Sequence, residues 1–321
     1  MIIKEADSRQ DDLDTLEILL RHPKAKSETR KLIDREIKNI RSGIKGEEEA
    51  AYEMKMRFKD SKNWFVIHDL RIEVDGLVAQ IDHLIINRFL EIYVCESKRF
   101  FEGIVINEQM EFSAFYGGKP YGIPSPIEQN KKHVLILEKL FNSKAVKLPE
   151  RLGLSIKPKY MANVLVSKNA RILRPNKKID EIESIVKTDQ FISYIDKLID
   201  KDNNLLTLVK VVGSDTVEKL ARDIVSQHKP IKFNWPAKFG LPDIEEISKS
   251  IPVKENQVKE EPLEYKAVEK QAEESGDNQK KKLICYSCGI KIPYKVGIFC
   301  WNNKKKFGGY AYCYDCQKNV I

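Results

Sequence analysis

Asp82 interrupts an otherwise apolar run, Gln80-Ile81-Asp82-His83-Leu84-Ile85-Ile86, and this misfit constrains the fold more than any other feature of the chain. A carboxylate taken out of water is costly unless a partner meets it, so the strand that carries it must lie beside one that supplies charge. Tyr93-Val94-Cys95-Glu96-Ser97-Lys98 is such a strand. Side chains two apart on a strand share a face. Glu96 and Lys98 therefore point the same way, Cys95 points to the other side, and a hairpin with the Asp82 strand gathers three charged groups.

The surroundings predict strands and helices that alternate around one α/β core. Alternation of Val, Ile, Phe and Tyr over residues 64–115, notably in 64–70, 77–86 and 90–95, predicts a small sheet. Upstream, Leu32, Ile33, Ile37, Ile40 and Ile44 recur every three or four residues. They predict a helix from Ser27 to about Phe58, broken near Gly43 and Gly46. Ser125-Pro126-Ile127-Glu128 has the spacing of a capping box with proline at the first helical position, ahead of Val134, Leu135, Leu137, Leu140 and Phe141. A strand over 160–166 and helices over 190–199 and 216–224 complete the alternation. Residues 1–26 read as an N-terminal helical extension, and 200–246 carry only helical propensity.

At 321 residues the chain is long enough for about two compact units. The expected division is a principal domain over 27–246, a flexible polar linker over 247–282, rich in Glu, Lys, Gln and Ser, and a small domain over 283–321. Five of the six cysteines fall in that last segment. Cys285-Tyr-Ser-Cys288 and Cys313-Tyr-Asp-Cys316 are the two knuckles of a four-cysteine zinc ribbon, whose closed thiolate shell makes Zn²⁺ structural. Cys300 reads as a buried thiol rather than a ligand. A thiol-redox role for the two pairs is the weaker reading of the same spacing.

Lys281 to Ile321 carries eight Lys against Asp315, among Tyr286, Tyr294, Trp301, Phe307, Tyr310 and Tyr312. Basic residues beside aromatics suit nucleic acid, as does the chain's net charge of +8. The N-terminal residues lack a secretory pattern and no apolar run approaches a membrane span. The expectation is a cytoplasmic protein that uses no membrane. The phosphate-binding pattern Gly-x-x-x-x-Gly-Lys-Ser/Thr is nowhere in the chain, so a helicase would be a separate partner, as another DNA-processing protein could be.

Hydrolysing a phosphodiester requires charge neutralisation, an activated water and help for the leaving oxygen, which carboxylate-held Mg²⁺ or Mn²⁺ supplies. Asp82 and Glu96 are the expected metal ligands, with the Ser97 backbone carbonyl as an extra oxygen. Lys98 would orient the water and offset developing charge. His83 reads as structural.

An acid followed, after a gap, by Glu-x-Lys on a strand resembles the PD-(D/E)xK nuclease superfamily. Its flanks, Gly43-Ile44-Lys45-Gly46-Glu47, Ile81-Asp82-His83, Cys95-Glu96-Ser97-Lys98 and Ser125-Pro126-Ile127-Glu128-Gln129-Asn130, occur in the order of the nuclease-related domain (NERD) family. The resemblance covers roughly residues 30–200. It implies a restriction-endonuclease-like fold, a mixed sheet flanked by helices, and nuclease activity with DNA favoured over RNA. It also has Glu47, for which its neighbours Glu48 and Glu49 are alternatives, joining Asp82, Glu96 and Lys98. Gln129, near a helix N-terminus where free N–H groups favour phosphate, would position the substrate backbone. Phe307-Gly308-Gly309-Tyr310 and the second knuckle are similar to a zinc-binding extension found on some members. Members commonly have Asn and Trp after the lysine, where this chain has Arg99 and Phe100. The alternative is a non-catalytic nucleic-acid-binding adaptor on a degenerate nuclease fold.

Overall fold

The computed structural model describes residues 1–201 and 211–243 and, towards the C-terminus, 285–288 with a set of positions between 290 and 319. The expected linker, 247–282, lies outside the described residues. The chain forms two units, Met1–Val253 and Lys254–Ile321. Among the described residues no helix is long and apolar enough to cross a membrane.

The first unit is a mixed α/β structure, as its alternation of patterns predicts. Its six-stranded sheet has the order β1 (Ile2–Lys4), β2 (Trp64–Val74), β3 (Leu77–Asn87), β4 (Glu91–Lys98), β10 (Lys159–Val166) and β12 (Ile185–Lys187). β2, β3 and β4 are antiparallel neighbours, while β1 pairs parallel with β2 and β10 pairs parallel with β4 and β12. Helix α2 (Ser27–Phe58) covers one face, where Ala50, Met54 and Phe58 pack with Tyr93 and Cys95. On the other face α3 (Pro126–Asn142) and α5 (Ser214–Val225) pack on Ile92 and Val94 through Leu137, Leu140, Leu220 and Ile224. Helix α4 (Phe191–Lys201) joins the α2 side. Helices α1 (Gln10–Leu20) and α6 (Trp235–Phe239) bury Leu16, Leu19 and Trp235 against Ile33 and Ile37 of α2.

Three sequence expectations are corrected. First, α2 is continuous through Gly43 and Gly46. Its stripe of Ile33, Ile37, Ala50, Met54 and Phe58 is buried, and this outweighs the ~1 kcal/mol that a helical glycine costs. Gly46 serves packing: a Cβ there would stand 3.2 Å from the Cβ of Arg99, so the glycine lets α2 approach the chain just past β4.

Second, the N-terminal 26 residues are not helical throughout, because Ile2–Lys4 adds the edge strand β1. Third, residues 64–115 do not make one sheet. β5 (Gly103–Ile106) and β6 (Phe112–Tyr116) belong to a separate four-stranded sheet with β7 (Lys119–Ile123) and β11 (Arg171–Leu173). The crossing is at Gly103, with φ 145°, where any Cβ would lie 2.2 Å from the Arg171 carbonyl oxygen. A short hairpin of β8 (Glu150–Arg151) and β9 (Leu154–Ser155) precedes β10.

A kink shared by β2 and β3 prepares the site. Ile67 and Leu70, three residues apart, enter the same cluster, and so do Ile81 and Leu84 on the partner strand. Strict alternation would put members of each pair on opposite faces. The slip occurs where Asp69 has φ 49°, a left-handed conformation that aspartate tolerates better than most residues. It is held there from both sides: Lys4 Nζ donates to the Asp69 carbonyl at 3.0 Å, and Gln80 Nε2 and the Asp7 amide each donate to its carboxylate at 3.2 Å.

Candidate active site and metal centre

Glu96 and Lys98 leave the end of β4 on the α3 side, as the two-residue spacing predicts. Glu96 is 3% exposed, and its Oε1 takes an ion pair from Lys98 Nζ at 2.6 Å and a hydrogen bond from Gln129 Nε2 at 2.8 Å. The other oxygen, Oε2, is buried with no hydrogen-bond partner and lies 3.5 Å from His133 Nδ1, likewise unpartnered. Gln129 and His133 are four apart on α3 and so share a face. The helix is fixed in that orientation in two ways. The Ser125 hydroxyl caps its start by accepting from the Glu128 amide, and Asn130 Nδ2 donates to the carbonyls of Val94 and Asn163, both at 2.8 Å.

Asp82 enters from β3. The ladder between β3 and β4 has its last pair at His83 and Cys95, and one step beyond it the Ser97 amide donates to Asp82 Oδ2 at 2.7 Å. Burial, then the negative charges of Glu96 and Glu47, push the Asp82 carboxyl well above the usual range, against the Ser97 N–H and Lys98. Glu47 reaches in from α2. Burial and then Asp69 raise its carboxyl as well, opposed by Arg9 and Lys98 and reinforced by Glu96. Glu47 and Asp82 face a cleft of about 650 Å³, shared with Glu5, Asp7, Glu48 and Asp69. Carboxylates that raise one another's proton affinity in a buried place create a demand for positive charge, which a proton or a divalent cation meets.

Behind Asp82 runs a file of neutral side chains. His83 Nε2 lies 3.0 Å from Ser97 Oγ, and its Nδ1 lies 2.8 Å from Nδ1 of His68. Burial lowers both imidazoles, His68 to about 4 and His83, which the neighbouring His68 also disfavours as a cation, well below its usual value, so neither carries charge at neutral pH. The sequence reading of His83 as structural fits this packing. His68, His133 and Arg9 carried no chemical signal of their own in the sequence, although His133 is four residues past Gln129 in a helix whose start was recognised.

The sign of the Asp82 shift yields a test independent of activity. A carboxyl raised in the fold favours the protonated domain, a contribution complete below the unfolded value of about 4 and lost as pH rises through the folded value. Asp82→Asn removes the charge at nearly constant volume. Without divalent metal its Tm at neutral pH is expected to exceed wild type by ~2–4 °C, about 1 kcal/mol for a domain of this size, with the gain shrinking towards acid. Thermal scans across pH check this, and a Tm below wild type at neutral pH contradicts it.

In the second unit the sulfurs of Cys285, Cys288, Cys313 and Cys316 all lie within 4.8 Å of one another. The Cys288 and Cys313 sulfurs are 3.7 Å apart, against about 3.8 Å for two thiolates on a tetrahedral Zn²⁺ with bonds of about 2.3 Å. The donor set therefore fits zinc. The Cys285 thiol is brought down to about 6: burial opposes this, and the N–H groups of Cys288, Cys313 and Ser287 outweigh it. Cys300 is buried among Tyr312 and Gln317, outside the four-sulfur group. Among the described residues these four cysteines are the group of His, Cys, Asp or Glu that converges as a metal shell; the three carboxylates do not close as tightly.

Compared with known proteins, residues 42–190 match the family model described as the nuclease-related domain. That span contains Glu47, Asp82, Glu96, Lys98 and Gln129. No curated protein and no solved structure matches the chain.

Proposed function

From a chain that carries a nuclease-related domain over residues 42–190, we propose a divalent-metal-dependent phosphodiesterase that cuts nucleic acid, DNA in preference to RNA. The observation that carries the reading is the meeting of Glu96, Lys98 and Gln129 with Asp82 one strand away, bonded to the Ser97 amide. Asp82 and Glu96 would hold the Mg²⁺ or Mn²⁺. Ser97, whose amide already meets Asp82, would add its backbone carbonyl as a further oxygen ligand. Bound there, the ion supplies Lewis-acid activation of phosphate and water.

The remaining roles belong to the chain's own side chains. Lys98 holds the attacking water and offsets charge on the phosphate. Glu47 approaches from the α2 face as a further ligand or a water-steering group. Gln129 donates to Glu96, so its first role is to orient that carboxylate. Next to a helix N-terminus, it also lies where a phosphate is favoured. The C-terminal unit holds structural Zn²⁺ and, through its basic and aromatic residues, lengthens the stay on nucleic acid. A tethered second contact is intramolecular and strengthens binding without any new catalytic group.

The experiment is incubation of the full chain with single-stranded, duplex, nicked and circular substrates, with and without Mg²⁺ or Mn²⁺. Cleavage only with the metal is the expected result. Salt-sensitive binding with no metal-stimulated cleavage would sink the enzyme and favour the non-cutting adaptor on a degenerate nuclease fold.

A further inference from the structure

The chain that leaves Lys98 exposes aromatic surface beside the site. Phe101 is 90% exposed, and the next residue, Glu102, accepts the amides of Gly117 and Gly118 on its two carboxylate oxygens at 2.6 and 2.9 Å. Those glycines, with φ 59° and 73°, form the tight turn between β6 and β7, a conformation favoured in two-residue hairpins. Glu102 thereby fastens the hairpin tip to the segment that follows Lys98.

The tip is an overhang of a core-facing surface. Cross-strand partners share a face, and the register pairs Ala114 with Tyr121 and Tyr116 with Lys119. At its root this face supplies Phe112 and Ala114 to a buried cluster with Ile104, Ile106 and Ile127. Past Ala114 the same face continues into solvent, bearing Tyr116 at 79% and Tyr121 at 53% exposure, beside exposed Lys119. Arg99 is exposed two residues before Phe101. The cleft against α2 has the opposite character, since Glu5, Asp7, Glu48 and Asp69 line it with Glu47 and Asp82, against Arg9 as the one Lys or Arg among the described residues of its lining. A phosphate chain is repelled from that wall, and the aromatic side offers it Lys98, Arg99 and Lys119.

We propose that Phe101, Tyr116 and Tyr121 form a stacking platform for the unpaired bases of a single strand, with Arg99 and Lys119 following its phosphates, which makes single-stranded nucleic acid the substrate class. The inference rests on the nuclease reading for its location, and it adds what that reading leaves open. Rings that present a π-face serve any base that is splayed out, whereas the bases of an intact duplex are already stacked on one another.

The test measures binding, not cutting, so that it stands apart from the activity assay. The full chain with its zinc retained is titrated, without added divalent metal, against a fluorescent single-stranded oligonucleotide, a duplex of the same sequence and an abasic strand. Phe101→Ala and Tyr116→Ala are each expected to weaken single-strand binding by ~5- to 150-fold, the equivalent of ~1–3 kcal/mol per stacked base. Tyr116→Phe keeps the wild-type affinity, the duplex affinity of both alanine variants is unchanged, and the abasic strand, which loses every stacked base, binds wild type more weakly than the intact strand binds either single variant. Because both positions are at the surface, an unchanged Tm verifies the fold. No loss, equal loss on strand and duplex, or a wild type that ignores single strands overturns the platform. An enzyme that cuts without ring-dependent binding loses the platform alone, and a strand-binding protein that does not cut loses the nuclease reading alone.

Discussion

Glu96→Gln is expected to lower metal-dependent cleavage by ~10³-fold or more while the protein stays folded. Metal-held charge stabilisation is worth several kcal/mol in a transition state, and each ~1.4 kcal/mol is tenfold in rate. The amide is nearly isosteric, so the surrounding packing of Gln129, His133 and Lys98 persists. Lys98→Ala is expected to cost a similar factor. It also has a second signature, because it strips a carboxylate only 3% exposed of its 2.6 Å ion pair. An uncompensated buried charge costs ~3–5 kcal/mol when a pair is broken, an upper bound here since the Lys98 side chain is one-third exposed. Thermal denaturation should therefore separate the variants, with Lys98→Ala melting lower than Glu96→Gln. Cleavage at the wild-type rate by either would remove the assigned roles.

Loss of zinc should be the largest effect on stability. Structural zinc in small domains contributes ~10–16 kcal/mol of apparent binding energy near neutral pH, more than a small core can replace. Cys313→Ser breaks a shell in which the Cys313 amide also donates to the Cys285 sulfur at 3.2 Å. Native mass spectrometry is expected to find one zinc per wild-type chain and none in the variant. Limited proteolysis should then degrade the C-terminal unit of the variant and leave the first unit intact. Wild type without stoichiometric zinc, or a variant that retains it, would refute the assignment.

The strands that carry the site were legible because each is a strong local pattern. Trp64–Val74, Leu77–Asn87 and Glu91–Lys98 follow their β-branched and aromatic content, and the misplaced Asp82 pointed to a charged neighbour. The capping signature at Ser125 located α3 and with it Gln129. What stayed hidden depends on contacts between distant segments. The phase slip at Asp69 relies on Lys4 and Asp7, over sixty residues away, and no periodicity can register it. Gly43 and Gly46 read as helix breakers because the close approach of Arg99 to Gly46 is a tertiary fact. Gly103 likewise reads as an ordinary glycine until Arg171 is placed against it. His133 needed the third dimension too, since nothing in its neighbourhood along the chain announces Glu96.

The amide of Asn130 has a consequence out of proportion to its chemistry. Its two N–H groups bind carbonyls on two adjacent strands, β4 and β10, and so lock the rotation of α3 about its own axis. A slip of one residue would turn that helix by about 100° and swing Gln129 and His133 away from the carboxylate they flank. The aim of the acidic group is thus set by an asparagine that meets neither water nor phosphate, and the precision of the centre is stored in the scaffold behind it.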